Sequence, residues 1–291
     1  MHPVHRRITL RIAGVSLLVA ALSGPVAWLV VQAQAGNSVS SSALSAALMV
    51  VLAVFVCGAV LYLSLTRLNL ANERKAQDVL ESHISMMEAL GRAIAKRDSD
   101  SGAHNYRVAW ISATLGEAVG LSGSRMQELI AGSFLHDAGK IGIPDAILLK
   151  PGMLTREEMD VMRTHVALGE EIVTGAGWLE GGKDVVANHH EKWDGSGYPR
   201  QLSGAAIPQA ARIFAIADVF DALCSRRPFK EPFPVELVME ILHQSSGTHF
   251  DPHLVLEFTR LSKSIHATIM NATEDEARAL METMVRKHFS T

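Results

Sequence analysis

The chain has 291 residues, 48% of them hydrophobic and 20% charged, and a formal net charge of -3. That length accommodates one good-sized folded domain and further segments, while the near-neutral charge and the lack of a Lys/Arg-rich block exclude the electrostatic footprint of a nucleic-acid polymer binder. Its two cysteines, Cys57 and Cys224, have no metal or redox spacing and read as structural thiols of a reducing compartment.

The first segment has no charged side chain between Arg11 and Arg67. The uncharged region divides into apolar runs at 12–31 and 43–65, each near the roughly 20 residues that cross a bilayer as a helix, separated by a polar stretch at 32–42. Arg6, Arg7 and Arg11 precede the first run, and Arg67, Arg74 and Lys75 follow the second. The positive-inside rule puts both flanks in the cytoplasm, so residues 1–66 read as a membrane hairpin of two transmembrane helices. Two other readings compete. Ala33-Gln34-Ala35 could end a cleaved signal, leaving the second run as a stop-transfer span. Alternatively, the runs could be a buried helical hairpin of a soluble protein.

Residues 67–98 form a helical linker. Leu80, Ile84, Met87, Leu90 and Ile94 recur at spacings of three and four, and Leu80, Met87 and Ile94 at seven. The stripe is either the seam of a parallel coiled coil, which would make a homodimer, or a face packed on the domain that follows.

Beyond Ser99 helix follows helix. Val108, Ile111, Leu115 and Val119 make one stripe, and Leu129, Ile130, Phe134 and Leu135 lead into His136. Thr155-Arg156-Glu157-Glu158 reads as a capping box opening a helix that carries His165, and Pro208 starts the helix of Asp218 and Asp221. A second capping box, Thr273 to Glu276, opens a last helix. The expected architecture is all-α: the hairpin, the linker, a domain over 99–262 and a C-terminal helix within 263–291.

Two clusters carry chemistry. His136-Asp137-Ala138-Gly139-Lys140 and His189-His190-Glu191, followed by the glycine-rich run Asp194 to Pro199, offer imidazoles and carboxylates but no thiolates. Such donors suit Fe, Mn, Ni, Co or Zn more than Ca or Mg. The Asp137 carboxylate can bridge two cations. His189 and His190, adjacent on a helix, diverge by about 100 degrees, so both can ligate only if two metals lie near the helix end. A hydroxide held between two metals is a nucleophile at neutral pH and the ions stabilise phosphoryl charge, which makes phosphoester hydrolysis the natural reaction. Lys140 supplies a point charge for the phosphate or the leaving oxygen, and Arg226, Arg227 and Lys230 add cations for a second phosphate. Asp218 and Asp221 sit among Ile213, Phe214, Ile216, Val219, Phe220 and Leu223, so they need metal or arginine partners. His2, His5, His83, His243, His249, His253, His266 and His288 lack this context and read as structural or exposed.

Across Arg97 to about Phe258 these motifs, with Ile141-Gly142-Ile143-Pro144-Asp145, Asp194-Gly195-Ser196-Gly197-Tyr198-Pro199, Arg227-Pro228-Phe229-Lys230 and Phe250-Asp251-Pro252, resemble the HD-GYP domain in order and spacing. That family is the bacterial branch of the HD phosphohydrolases that hydrolyses cyclic di-GMP. The resemblance implies that His104, His136, Asp137, His165, His189, His190 and Asp218 ligate metal, with Asp137 bridging. It implies that Lys140 contacts the scissile phosphate and that Tyr198, Asp221, Arg227 and Lys230 hold the guanine dinucleotide. Some members bind a third ion through a glutamate four residues before the first histidine; here that position is Asp100, one methylene shorter. The cofactors implied are two or three divalent ions, Fe or Mn favoured, with pGpG the expected product of two and GMP of three. The expectation is a metal-dependent phosphodiesterase anchored in the bacterial inner membrane, its catalytic domain cytoplasmic. The alternatives are a catalytically weak cyclic di-GMP receptor and an HD hydrolase acting on another cyclic dinucleotide or phosphoester.

Overall fold

Residue 24 and residues 27–32, 34–35, 40–97, 102–225 and 231–289 are described by a computed structural model. Among them the regular structure is helical, with one isolated bridge between Ser246 and Phe250. Most of the expected first span, Ala33, Asp100, Arg227 and Lys230 lie outside the described residues.

The chain divides into two compact units, Met1–Ala76 and Gln77–Thr291. Helix α1, Ser41–Ala95, begins in the first and contains the expected second span. Its most apolar window has a mean hydropathy of 2.7 and none of that window is buried. Leu48 and Phe55 are 70% and 75% exposed. Among the described residues one helix is therefore long and apolar enough to cross a membrane, and none of its most apolar window is buried, against the reading of a buried soluble hairpin.

In the second unit, the end of α1 is followed by α2 Gly102–Ala118, α3 Ser124–Leu135, a 3-10 turn Ala138–Gly142, α4 Asp145–Leu148 and α5 Arg156–Arg163. Then come α6 His165–Val173, α7 Lys183–Asn188, α8 Gln209–Cys224, α9 Val235–Gln244, α10 Pro252–Ile269 and α11 Glu274–Phe289. Thr155 and Glu158 exchange the two bonds of a capping box, and Thr273 and Glu276 do the same before α11. Pro208 is the N-cap of α8, one residue before its first turn.

The linker stripe belongs to the core of this unit. Leu80, Ile84, Met87 and Ile94 are buried in one cluster with Val108, Ile111, Leu115, Phe134 and Phe214. A Cβ on Gly91 would lie 2.6 Å from Phe134 Cε1, so glycine lets the helix rest on that ring. Of the two readings of the stripe, a coiled-coil seam and a face packed on the domain that follows, the burial follows the second, because it removes the apolar surface from water.

Packing crosses the expected boundaries at 98 and 262. Helix α10 runs through residue 262, and α11 buries Ala277, Met281 and Val285 in the shared core. Glu88 of α1, 4% exposed, accepts from Arg278 of α11 at 2.7 and 3.0 Å. Linker, catalytic helices and C-terminal helix thus form one body.

The turn after α3 is pressed flat on the start of α6. A Cβ on Gly139 would lie 1.8 Å from His165 O and 2.4 Å from Gly169 N, and backbone cannot yield as a side-chain tip can. At Gly142 the nearest atom is the flexible Leu168 Cδ1, at 2.8 Å. Gly139→Ala is therefore expected to cost about 3 kcal/mol or more and Gly142→Ala clearly less. Thermal unfolding of the two metal-free variants beside the parent chain checks this; equal midpoints would contradict the close approach.

Candidate metal centre

Each histidine here sits at or near a helix end or turn, where carbonyls lack intrahelical partners. His136 Nδ1 donates to Ser133 O at 2.9 Å, His165 Nδ1 to Met162 O at 2.7 Å and His189 Nδ1 to Val186 O at 2.8 Å. A carbonyl can only accept, so each Nδ1 carries a proton and each Nε2 is the nitrogen turned toward the site. His104, on the first turn of α2, bonds through Nδ1 to Asp221 Oδ2 at 2.7 Å, which leaves its Nε2 facing Asp218 Oδ1 at 3.5 Å.

These nitrogens converge in two groups. His165, His189 and His190 form one and His104, His136 and Asp218 the other, the ligand atoms within each lying within 4.8 Å of one another. Asp137 lies between them, Oδ2 3.0 Å from His136 Nε2 and Oδ1 3.5 Å from His165 Nε2. All seven residues that the family resemblance implied as ligands are thus brought together.

The donors fit divalent metal. His165 Nε2 and His189 Nε2 face each other at 3.2 Å, an opposition of lone pairs that a cation relieves. Burial, then neighbouring His165, lowers His190 to about 3. Burial also lowers His165, against the pull of Asp137, and lowers His189 well below the ordinary value. These three imidazoles are neutral at pH 7, as ligation requires. Burial alone would raise the Asp137 carboxyl, but His136 and Lys140 outweigh it and hold the group well below the usual carboxylate range. Burial pushes Asp218 up against the pull of His104.

A cavity of about 370 Å³ opens over these groups, lined also by Lys140, Tyr198, Leu148, Met162 and Ala222. Lys140 Nζ is 2.8 Å from Asp137 Oδ2. The Tyr198 ring stacks on His190, with centroids 4.7 Å apart and planes 25° apart. Burial pushes its phenol up to about 12, so it remains a donor at neutral pH. The turn leading to Tyr198 is tight: Gly195 has φ +83°, and a Cβ on Gly197 would lie 2.4 Å from Lys192 N.

Asp221 does not line this cavity. Read as a dinucleotide contact, it is fully buried and bonded to His104, to Arg107 at 2.6 and 2.9 Å and to Ser225 at 3.1 Å. No oxygen remains exposed for a ligand. Burial would raise its carboxyl, yet the bonds from His104 and Arg107 hold it at about 2, so it orients His104 as an anion. Sequence reasoning missed Arg107, although its place three residues after His104 puts both on one helix face. It also assigned no role to Glu191, which is 2% exposed and accepts from Arg200 N at 2.7 Å and Leu202 N at 3.0 Å. That buried acid braces the loop carrying Tyr198. Among the histidines set aside, His249 stacks on Phe250 at 4.3 Å and His288 bonds Glu117 at 2.6 Å.

The HD domain family matches residues 88–254. The chain is 42% identical over 182 residues to a cyclic di-GMP phosphodiesterase of Thermotoga maritima, covering 62% of this chain and 50% of that protein. It is 43% identical over 180 residues to 3'3'-cGAMP-specific phosphodiesterase 2 of Vibrio cholerae, covering 61% and 34%. It spans half or less of the length of these two relatives. The crystal structure of a cyclic GMP-AMP specific phosphodiesterase of V. cholerae, V-cGAP3, superposes with a TM-score of 0.53 at 22% identity, covering 68% of this chain and 53% of that one, which shows a shared fold. With a family match over more than half of its length, this chain belongs to the HD domain family.

Proposed function

We propose that the chain is a metal-dependent phosphodiesterase of the HD-GYP branch that opens cyclic di-GMP to pGpG, GMP or both. The observation that carries this reading is the place of Asp137, one oxygen toward each group of imidazoles, with Lys140 beside it. The relatives named for cyclic di-GMP and for 3'3'-cGAMP support a cyclic dinucleotide as substrate. The second of them keeps 3'3'-cGAMP as the alternative to test. A silent receptor is disfavoured, because the donor set and Lys140 are retained together.

His165, His189 and His190 would hold one ion, His104, His136 and Asp218 the other, with Asp137 shared. Such ions, proposed to be Fe or Mn, would supply Lewis acidity at the phosphoryl group and an activated water. The protein's own residues do the rest. Lys140 turns from Asp137 to the scissile phosphate and offsets charge that grows in the transition state. Tyr198, fixed by its stack on His190 and protonated at neutral pH, donates a hydrogen bond to the substrate without repelling its phosphates. Asp221 and Arg107 hold the His104 ring in place. Arg227 and Lys230 are proposed as further substrate contacts, and Asp100 as a ligand of a third ion, on the sequence resemblance. The apolar part of α1 is proposed to cross the bacterial inner membrane, with a second pass in residues 12–31 and the catalytic unit in the cytoplasm.

The direct test is anaerobic incubation of the detergent-solubilised full chain, loaded with Fe(II) or Mn(II), with cyclic di-GMP. Linear pGpG or GMP is expected, and no linear product with any metal would refute the enzyme. Asp137→Ala is expected to lose bound metal and activity together, whereas Lys140→Ala keeps its metal and loses about 100-fold in rate; elemental analysis showing a full complement of metal in Asp137→Ala would disprove the bridge. Asp221→Asn is expected to weaken metal affinity by about 10- to 100-fold, read by competition with a chelator. An unchanged affinity would show that Asp221 does not act through His104.

A further inference from the structure

A cyclic dinucleotide carries two phosphodiesters, and only one is cut at a time. Lys140 lies beside Asp137 and serves the first. Arg163 offers a cation for the second beside a wall of the cavity. Its guanidinium carbon lies 5.1 Å from the centroid of the Tyr198 ring, and both Tyr198 and the preceding residue, Met162, line the cavity. The backbone there is tied to the centre, because Met162 O accepts the bond that orients His165. Arg163 closes α5 two residues before that histidine, so its origin is set relative to the metal ligands.

Its charge is lightly held. The ion partner of Arg163 is Asp160 at 3.4 Å, on the same helix, with the two side chains 50% and 63% exposed. A pair so exposed is worth little and yields readily to a better anion. Neighbouring arginines are committed instead: Arg107 to Asp221, Arg200 to Glu170 and Asn188, and Arg212 to Asp251. A guanidinium lying over an aromatic ring keeps its edge N–H groups free for a forked bond to phosphate, which an ammonium cannot reproduce.

We propose that Arg163 is a substrate-binding residue that grips the phosphate not being cleaved, its guanidinium oriented by the Tyr198 ring. The inference rests on the phosphodiesterase reading above and adds a specificity element to it, a preference for substrates with two phosphates.

The test compares the metal-loaded full chain with Arg163→Gln and Arg163→Lys on cyclic di-GMP and on bis(p-nitrophenyl) phosphate, which has a single phosphodiester. Arg163→Gln is expected to raise KM for cyclic di-GMP by about tenfold or more while kcat falls less than threefold, with Arg163→Lys in between. Loss of kcat/KM should be at least tenfold larger for cyclic di-GMP than for the single diester. Equal losses on both substrates, or an unchanged KM for cyclic di-GMP, would overturn the grip while leaving the phosphodiesterase reading intact. A parent chain that cleaves the single diester but not cyclic di-GMP would overturn the substrate reading, and the grip with it.

Discussion

The site depends on one constraint: four of its five imidazoles are aimed by what the Nδ1 nitrogen bonds. Three of them give Nδ1–H to a carbonyl three residues back, and His104 bonds Asp221. These bonds set the ring planes and turn the Nε2 atoms toward one another. Convergence of this kind is costly unless the rings are neutral. Burial ensures that for His165, His189 and His190.

Burial in turn depends on helices remote from the chemistry. Phe134 precedes His136 by two residues and packs against Gly91 of α1 and the ring of Tyr106, which follows His104 by two. The long helix and the ligand-bearing helices therefore share a wall. Buried charge is tolerated throughout because each such group has a partner: Asp221 with Arg107, Asp251 with Arg212, and Glu88 with Arg278. Close backbone contact at Gly139 completes the assembly, setting Asp137 between the two groups of histidines.

Much of this was legible in the chain. The helical periodicity, both capping boxes and the pairing of imidazoles with carboxylates follow from residue type and spacing. His104 and His165 were reachable only by resemblance, since an isolated histidine has no local signature of ligation. Asp221 shows where spacing misleads. It shares a helix face with Asp218, and its apolar neighbours required a partner, but only the packing of α2 against α8 made that partner Arg107 rather than a ligand. The seven-residue stripe at Leu80, Met87 and Ile94 left two readings open, because the same periodicity serves a neighbouring chain or the protein's own core.

Residue types and their spacing fix the chemical vocabulary: helices, an apolar segment able to cross a membrane, and a nitrogen- and oxygen-donor set of imidazoles and carboxylates beside a lysine. Those features are local, fixed by side-chain chemistry and by the period of a helix. The tertiary structure alone decided which carboxylate faces the cavity and which supports a histidine, and which surface covers the linker stripe. It also decided that Arg163 lies over Tyr198. These are outcomes of distance between segments far apart in the chain, and only packing around a shared core sets that distance.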